Sequence, residues 1–154
     1  MIARLICAGL MVLSFPFAQA ASTCARPNAL TPDGGRYCGP LVNGKLHGRG
    51  VIEWSNGARY EGGFADGMMS GKGVLRTVAG DVFDGEFRNG AVNGYGRAKL
   101  TDGGSYSGMF RNDHFHGEGK FDSGDGQVYE GTFDNGRYHG KGVLRVSPFK
   151  VISH

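Results

Sequence analysis

Between Tyr37 and Leu144 the chain runs in short stretches where apolar or glycine positions alternate with polar ones, each stretch closed by Asn-Gly, Asp-Gly or a near equivalent. Alternation at period two predicts strands with one buried face. The closing dipeptides tolerate the positive φ of a tight hairpin turn. An aromatic followed two residues later by Gly recurs as Tyr37-Gly39, Tyr60-Gly62, Phe83-Gly85, Tyr106-Gly108 and Tyr129-Gly131, at a constant step of 23 residues. A Gly-x-Gly follows in every unit: Gly48/Gly50, Gly71/Gly73, Gly94/Gly96, Gly117/Gly119 and Gly140/Gly142. Repetition at a fixed period outranks any single motif as a fold signal.

Each unit predicts one hairpin. Its first strand carries the aromatic, the Gly and then Leu41, Phe64, Phe87, Phe110 or Phe133 on one face. Turns follow at Asn43-Gly44, Asp66-Gly67, Asn89-Gly90, Asn112-Asp113 and Asn135-Gly136. On the second strand, parity groups Leu46, Met69, Val92, Phe115 and Tyr138 with both glycines of Gly-x-Gly and with Ile52, Leu75, Ala98, Phe121 and Leu144. Both glycines are therefore expected as inner-face notches that receive Tyr and Phe rings. The predicted fold class is all-β: an elongated, curved single antiparallel sheet of consecutive hairpin repeats. Five units at about 10 Å each would make a ribbon about 50 Å long. The expected organisation is a signal peptide at 1–20, an N-terminal linker or cap at 21–32, the array at 33–146 and a tail at 147–154.

Twenty-nine glycines without a three-residue period exclude collagen, and 40 % hydrophobic residues exclude a disordered linker. Residues 1–20 have the build of an export signal: Arg4, an apolar run from Leu5 to Phe17, and Ala18-Gln19-Ala20 as the cleavage pattern. The expected destination is the periplasm or the cell exterior, after cleavage near Ala20. Loss of that segment leaves 16 basic against 14 acidic side chains, a net +2. So small an excess argues against nucleic acid as a partner. Cys24 and Cys38 remain as an even pair suited to an oxidising compartment. A disulfide between them closes a loop of about 15 residues, nominally worth about 3 kcal/mol. Two free thiols and a lipid-modified Cys24 are the alternatives, the latter disfavoured by Thr23 just before it.

Tyr60-Glu61-Gly62-Gly63-Phe64-Ala65-Asp66-Gly67 followed by Gly71-Lys72-Gly73 resembles a MORN (membrane occupation and recognition nexus) repeat, and so does the stretch from Tyr129 to Gly142. The resemblance spans about residues 33–145. Phe83 in place of Tyr, Leu41 in place of an aromatic, and Asp113 in place of Gly depart from it. It implies a non-catalytic scaffold or binding module that contacts proteins or membranes, with the first unit, which carries Cys38 and Pro40, as a capping repeat.

Histidines invite a metal reading. His114 and His116 share the polar face, but His139 lies about 10 Å from His116, two strands away, and the resembled repeat often carries His before Gly-x-Gly. No metal site, catalytic residue or cofactor is therefore expected. Ser, His and Asp fall at turn and solvent-face positions of repeating units rather than as one nucleophile–base set. The candidate binding residues are Arg97, His114, His116, Arg137, His139 and Lys141. A protein partner in the groove or on a strand edge is the favoured expectation. Self-association through the terminal edges and contact with an anionic lipid or envelope polymer are the alternatives.

Overall fold

The computed structural model describes residues 24–148. The expected signal peptide and the end of the expected tail lie outside the described residues. Among the described residues thirteen strands follow one another and there is no helix. β1 (Ala29–Leu30), β2 (Arg36–Cys38) and β5 (Gly48–Glu53) open the main sheet. β6 (Arg59–Ala65) and β7 (Met68–Arg76) form the second repeat, β8 (Val82–Arg88) and β9 (Ala91–Lys99) the third. β10 (Ser105–Arg111) and β11 (His114–Asp122) form the fourth, β12 (Gln127–Asp134) and β13 (Arg137–Val146) the fifth. These eleven strands make one open antiparallel sheet in sequence order; β3 (Leu41–Val42) and β4 (Lys45–Leu46) pair separately. Pro40 explains the break, because a residue without an N–H cannot continue the ladder from β2. The first repeat is thus a split hairpin.

The five tight turns adopt the left-handed conformation at both central residues, as at Asp66 and Gly67. Asp113 holds a φ of 68° where the other repeats have glycine. Its carboxylate accepts a hydrogen bond from the Val92 N–H (2.8 Å) of the preceding repeat, which offsets that conformation. The turns of the second to fifth repeats also tie back to the repeat before, as in Gly90 N–H to Met69 O (3.0 Å).

Between repeats the strands pair without interruption: Gly73 opposes Gly85 and Leu75 opposes Phe83. Within a repeat the register slips by two. Gly62 opposes Gly73 but Phe64 opposes Met69, so Ser70, Gly71 and Lys72 face Gly63 alone. The same slip recurs in the third, fourth and fifth repeats. This bulge corrects the expectation that both glycines of Gly-x-Gly are ring-receiving notches. The first, Gly71, has φ +77° and open space where a Cβ would stand; it is needed for the backbone turn. The second, Gly73, is the notch: a Cβ there would lie 2.4 Å from Tyr60 Oη.

The tyrosines define the core. Tyr60 crosses the glycines of its own hairpin and donates its hydroxyl hydrogen to the Gly63 carbonyl (2.9 Å). Tyr37, Tyr106 and Tyr129 do the same to Pro40, Met109 and Thr132 (2.9, 2.8 and 3.1 Å). Residues four apart on a flat strand are about 13 Å apart, yet the Tyr60 and Phe64 rings meet edge-to-face at 5.2 Å. The strands therefore bend toward the aromatic side, and ring follows ring through Tyr60–Phe87 (4.9 Å) and Tyr106–Phe133 (5.2 Å). This curling lets one sheet bury Tyr37, Tyr60 and Tyr106 without a covering layer. Phe83 lacks the hydroxyl and stays half-buried, its ring 6.1 Å from Phe110.

Candidate binding surfaces of the sheet

The N-terminal end of the sheet is tied down. β1 covers the edge of β2, and Cys24 is disulfide-bonded to Cys38 with Cα atoms 5.6 Å apart. Arg36 Nη2 donates to the Cys24 carbonyl (3.1 Å) and the Cys24 N–H donates to Glu53 Oε2 (3.1 Å). Arg59 bridges Glu53 and Glu61 at 3.4 and 2.9 Å. The hydroxyl of Thr31 donates to Asp33, whose carboxyl is held below its usual range mainly by that bond; Trp54 Nε1 donates to the same carboxylate (2.9 Å).

The polar face carries a trough over the glycine rows. Its first part, about 480 Å³, is lined by Lys72, Asp84, Glu86, Tyr95, Arg97 and Ser107. Its continuation, about 580 Å³, runs from Tyr95 and Ser107 past Glu118, Lys120, Glu130 and Thr132 to Lys141. Tyr95 stands where the two meet, hydrogen-bonded to Ser107 (Tyr95 Oη to Ser107 Oγ, 3.1 Å). Arg97 lies 3.8 Å from Asp84 on the exposed surface. Four acids face four bases along this trough, and its lining includes no histidine or cysteine. It has neither the charge bias of an anion site nor a nucleophile–base pair.

The six candidate residues do not converge. Arg97 and Lys141 flank opposite ends of the trough. His114 is exposed at the start of β11, opposite Arg111. His116 Nδ1 lies 3.4 Å from Asp134 Oδ1 but misses hydrogen-bond geometry, leaving that buried nitrogen without a hydrogen-bond partner. His139 is exposed opposite Thr132. Arg137 borders a third cavity, about 340 Å³, on the aromatic side among Phe115, Phe121, Phe133 and Tyr138. Among the described residues no three His, Cys, Asp or Glu side chains are grouped to hold a metal.

That third cavity belongs to the open end of the sheet. All ten residues of β13 are exposed. Tyr138 and Leu144 are 51 % and 52 % exposed, whereas Val92 and Ala98, two repeats earlier at the same positions, are 2 % and 1 % exposed. Residue parity places Tyr138 and Leu144 on the inner face, but only the strand order reveals that, among the described residues, no later strand covers them. The acidic lining of the trough has no signature in the sequence, because Glu118 and Glu130 occupy ordinary solvent-face positions.

A comparison with curated proteins returned no match to this chain. The family model for the MORN repeat matches residues 37–59, 60–82, 83–105, 106–128 and 129–145. Those limits coincide with the structural repeats, each beginning on the first-strand aromatic, which in four of the five is the tyrosine that crosses the glycines. The chain therefore belongs to the MORN repeat family, whose repeats are in general binding and scaffold modules.

Proposed function

We propose that this protein is a non-catalytic, exported binding module that engages a protein partner through its MORN sheet. The observation that carries this reading is the uncovered aromatic layer at β13, where Tyr138 and Leu144 stand exposed although their repeat equivalents are buried. Exposed apolar surface next to an unpaired strand edge is a docking feature or an aggregation hazard. The signal-like composition of residues 1–20 and the Cys24–Cys38 pair support an oxidising destination, the periplasm or the cell exterior. Arg137, His139, Lys141 and Arg145 on β13 favour a second reading, contact with an anionic lipid or envelope polymer.

Affinity capture from an envelope extract tests the first reading. The protein should retain a defined partner, and Tyr138→Ser with Leu144→Ser should lose it. Recovery of nothing beyond the background of an unrelated sheet protein refutes the reading. Flotation with phosphatidylglycerol vesicles separates the second: co-flotation at low salt that disappears at high salt would favour it.

A further inference from the structure

Gly140-Lys141-Gly142-Val143-Leu144-Arg145 of β13 repeats, residue for residue, Gly71-Lys72-Gly73-Val74-Leu75-Arg76 of β7. The two copies differ in one respect. β7 has β8 seated on its edge, with Phe83 opposite Leu75, Asp84 opposite Val74, Gly85 opposite Gly73, Glu86 opposite Lys72 and Phe87 opposite Gly71. The β13 copy has no strand beyond it among the described residues.

We infer that β13 is a docking edge for an extended acidic peptide segment of the form aromatic–acid–Gly–acid–aromatic, bound antiparallel in the register that β8 takes on β7. This rests on the reading of the protein as a binding module and names its partner's chemistry. Three observations select the occupant. The ladder groups of the edge call for a strand. The inner-face positions Leu144 and Gly140 call for aromatics, since Phe83 and Phe87 fill their counterparts. The outward row Arg137, His139, Lys141, Val143 and Arg145 carries four basic side chains and no acid, and among the described residues only Arg145 reaches an acid, Glu130 at 3.9 Å. A glycine opposite Gly142 completes the segment, as Gly85 stands opposite Gly73 on β7. Antiparallel pairing of β13 with a second copy of itself would set this basic row against its own kind, which cross-strand pairing disfavours. At the opposite end of the array the edge strand is the disulfide-tethered, two-residue β1, so the C-terminal edge is the long one offered to a strand.

The probe is a labelled synthetic peptide of residues 82–88 of this chain, acetylated and amidated, titrated onto the protein by fluorescence anisotropy. Saturable binding is expected, with hydrogen-exchange protection confined to β13. Lys141→Glu should weaken it about fivefold, on the scale of losing one exposed charge pair and adding one repulsion. A peptide with Lys at the position of Glu86 should restore binding to that variant, which a merely misfolded variant could not do. Absence of binding, protection elsewhere, or indifference to both charge changes overturns the proposal. Binding seen only after removal of residues 149–154 overturns it in favour of coverage by the chain's own tail. A dimer by sedimentation that the peptide fails to dissociate overturns it in favour of a second copy. If capture still recovers a partner while the peptide fails, the binding-module reading stands and the edge assignment falls.

Discussion

Alanine at Gly71 and at Gly73 should destabilise the protein for unrelated reasons, and the difference is measurable. A methyl on Gly71 meets nothing within 4 Å, but the residue sits at φ +77°. The cost is that of placing an L side chain in the left-handed region, about 1 kcal/mol. A methyl on Gly73 would stand 2.4 Å from Oη and 2.5 Å from Cε2 of Tyr60, a side chain with no exposed surface. The ring would have to retreat by about 1 Å to restore normal contact. That breaks its hydrogen bond to Gly63, worth about 1 kcal/mol, and disturbs packing on Phe64 and Phe87, worth about 1–3 kcal/mol. Gly73→Ala should therefore cost about 2–4 kcal/mol. Asparagine separates the causes, since it visits the left-handed region readily: Gly71→Asn should be nearly neutral, while Gly73→Asn should be at least as harmful as alanine. Guanidinium midpoints followed by circular dichroism, compared at constant m-value, give the answer. Equal losses at the two positions, or rescue by asparagine at Gly73, would refute the division of labour between these glycines.

Phe83→Tyr should raise stability by about 0.5–1.5 kcal/mol by adding the hydroxyl-to-carbonyl bond that four other repeats possess; an unchanged denaturation midpoint would mean that bond is incidental. Reduction of Cys24–Cys38 should remove about 3 kcal/mol of restraint from the N-terminal end alone. Hydrogen exchange should then accelerate in β1 and β2 and stay unchanged from β8 to β13, because repeats sense only their neighbours. Burial pushes the phenols of Tyr60 and Tyr106 up to about 12 from 10.0. A raised folded-state value stabilises below the unfolded value, so stability is intact up to pH 10 and falls as pH rises toward 12. Tyrosinate absorbance should therefore rise together with loss of the sheet signal; ionisation of all tyrosines before unfolding contradicts the burial argument.

What was legible in the sequence was whatever one hairpin determines by itself. Period, turns and inner layer follow from local alternation and from residues that tolerate positive φ, so Tyr60, Phe64 and Asp66-Gly67 could be placed without coordinates. The roles of Gly71 and Gly73 were not separable, because parity is blind to a two-residue slip in register. The candidate cations failed to converge for a related reason. Arg97 lies on the base side of a bulge, His116 within one and Arg137 on the tip side, and no spacing rule counts across that break. The split of the first repeat at Pro40 is not given by the period, which runs through that unit unbroken. The bare edge at β13 required the strand order, since its sequence is the same as that of a covered strand.

The strict succession of strands also sets how the molecule yields to force. Among the described residues no strand beyond the first repeat pairs with anything but its neighbours in the chain, so tension along the array opens bonds one ladder at a time rather than shearing many together. The disulfide locks the leading end, and release starts from β13. Each repeat let go adds about 80 Å of contour, 23 residues at full extension. Stretched between a partner and an anchor, the array would pay out slack in equal steps, a spool whose increment is the sequence period itself.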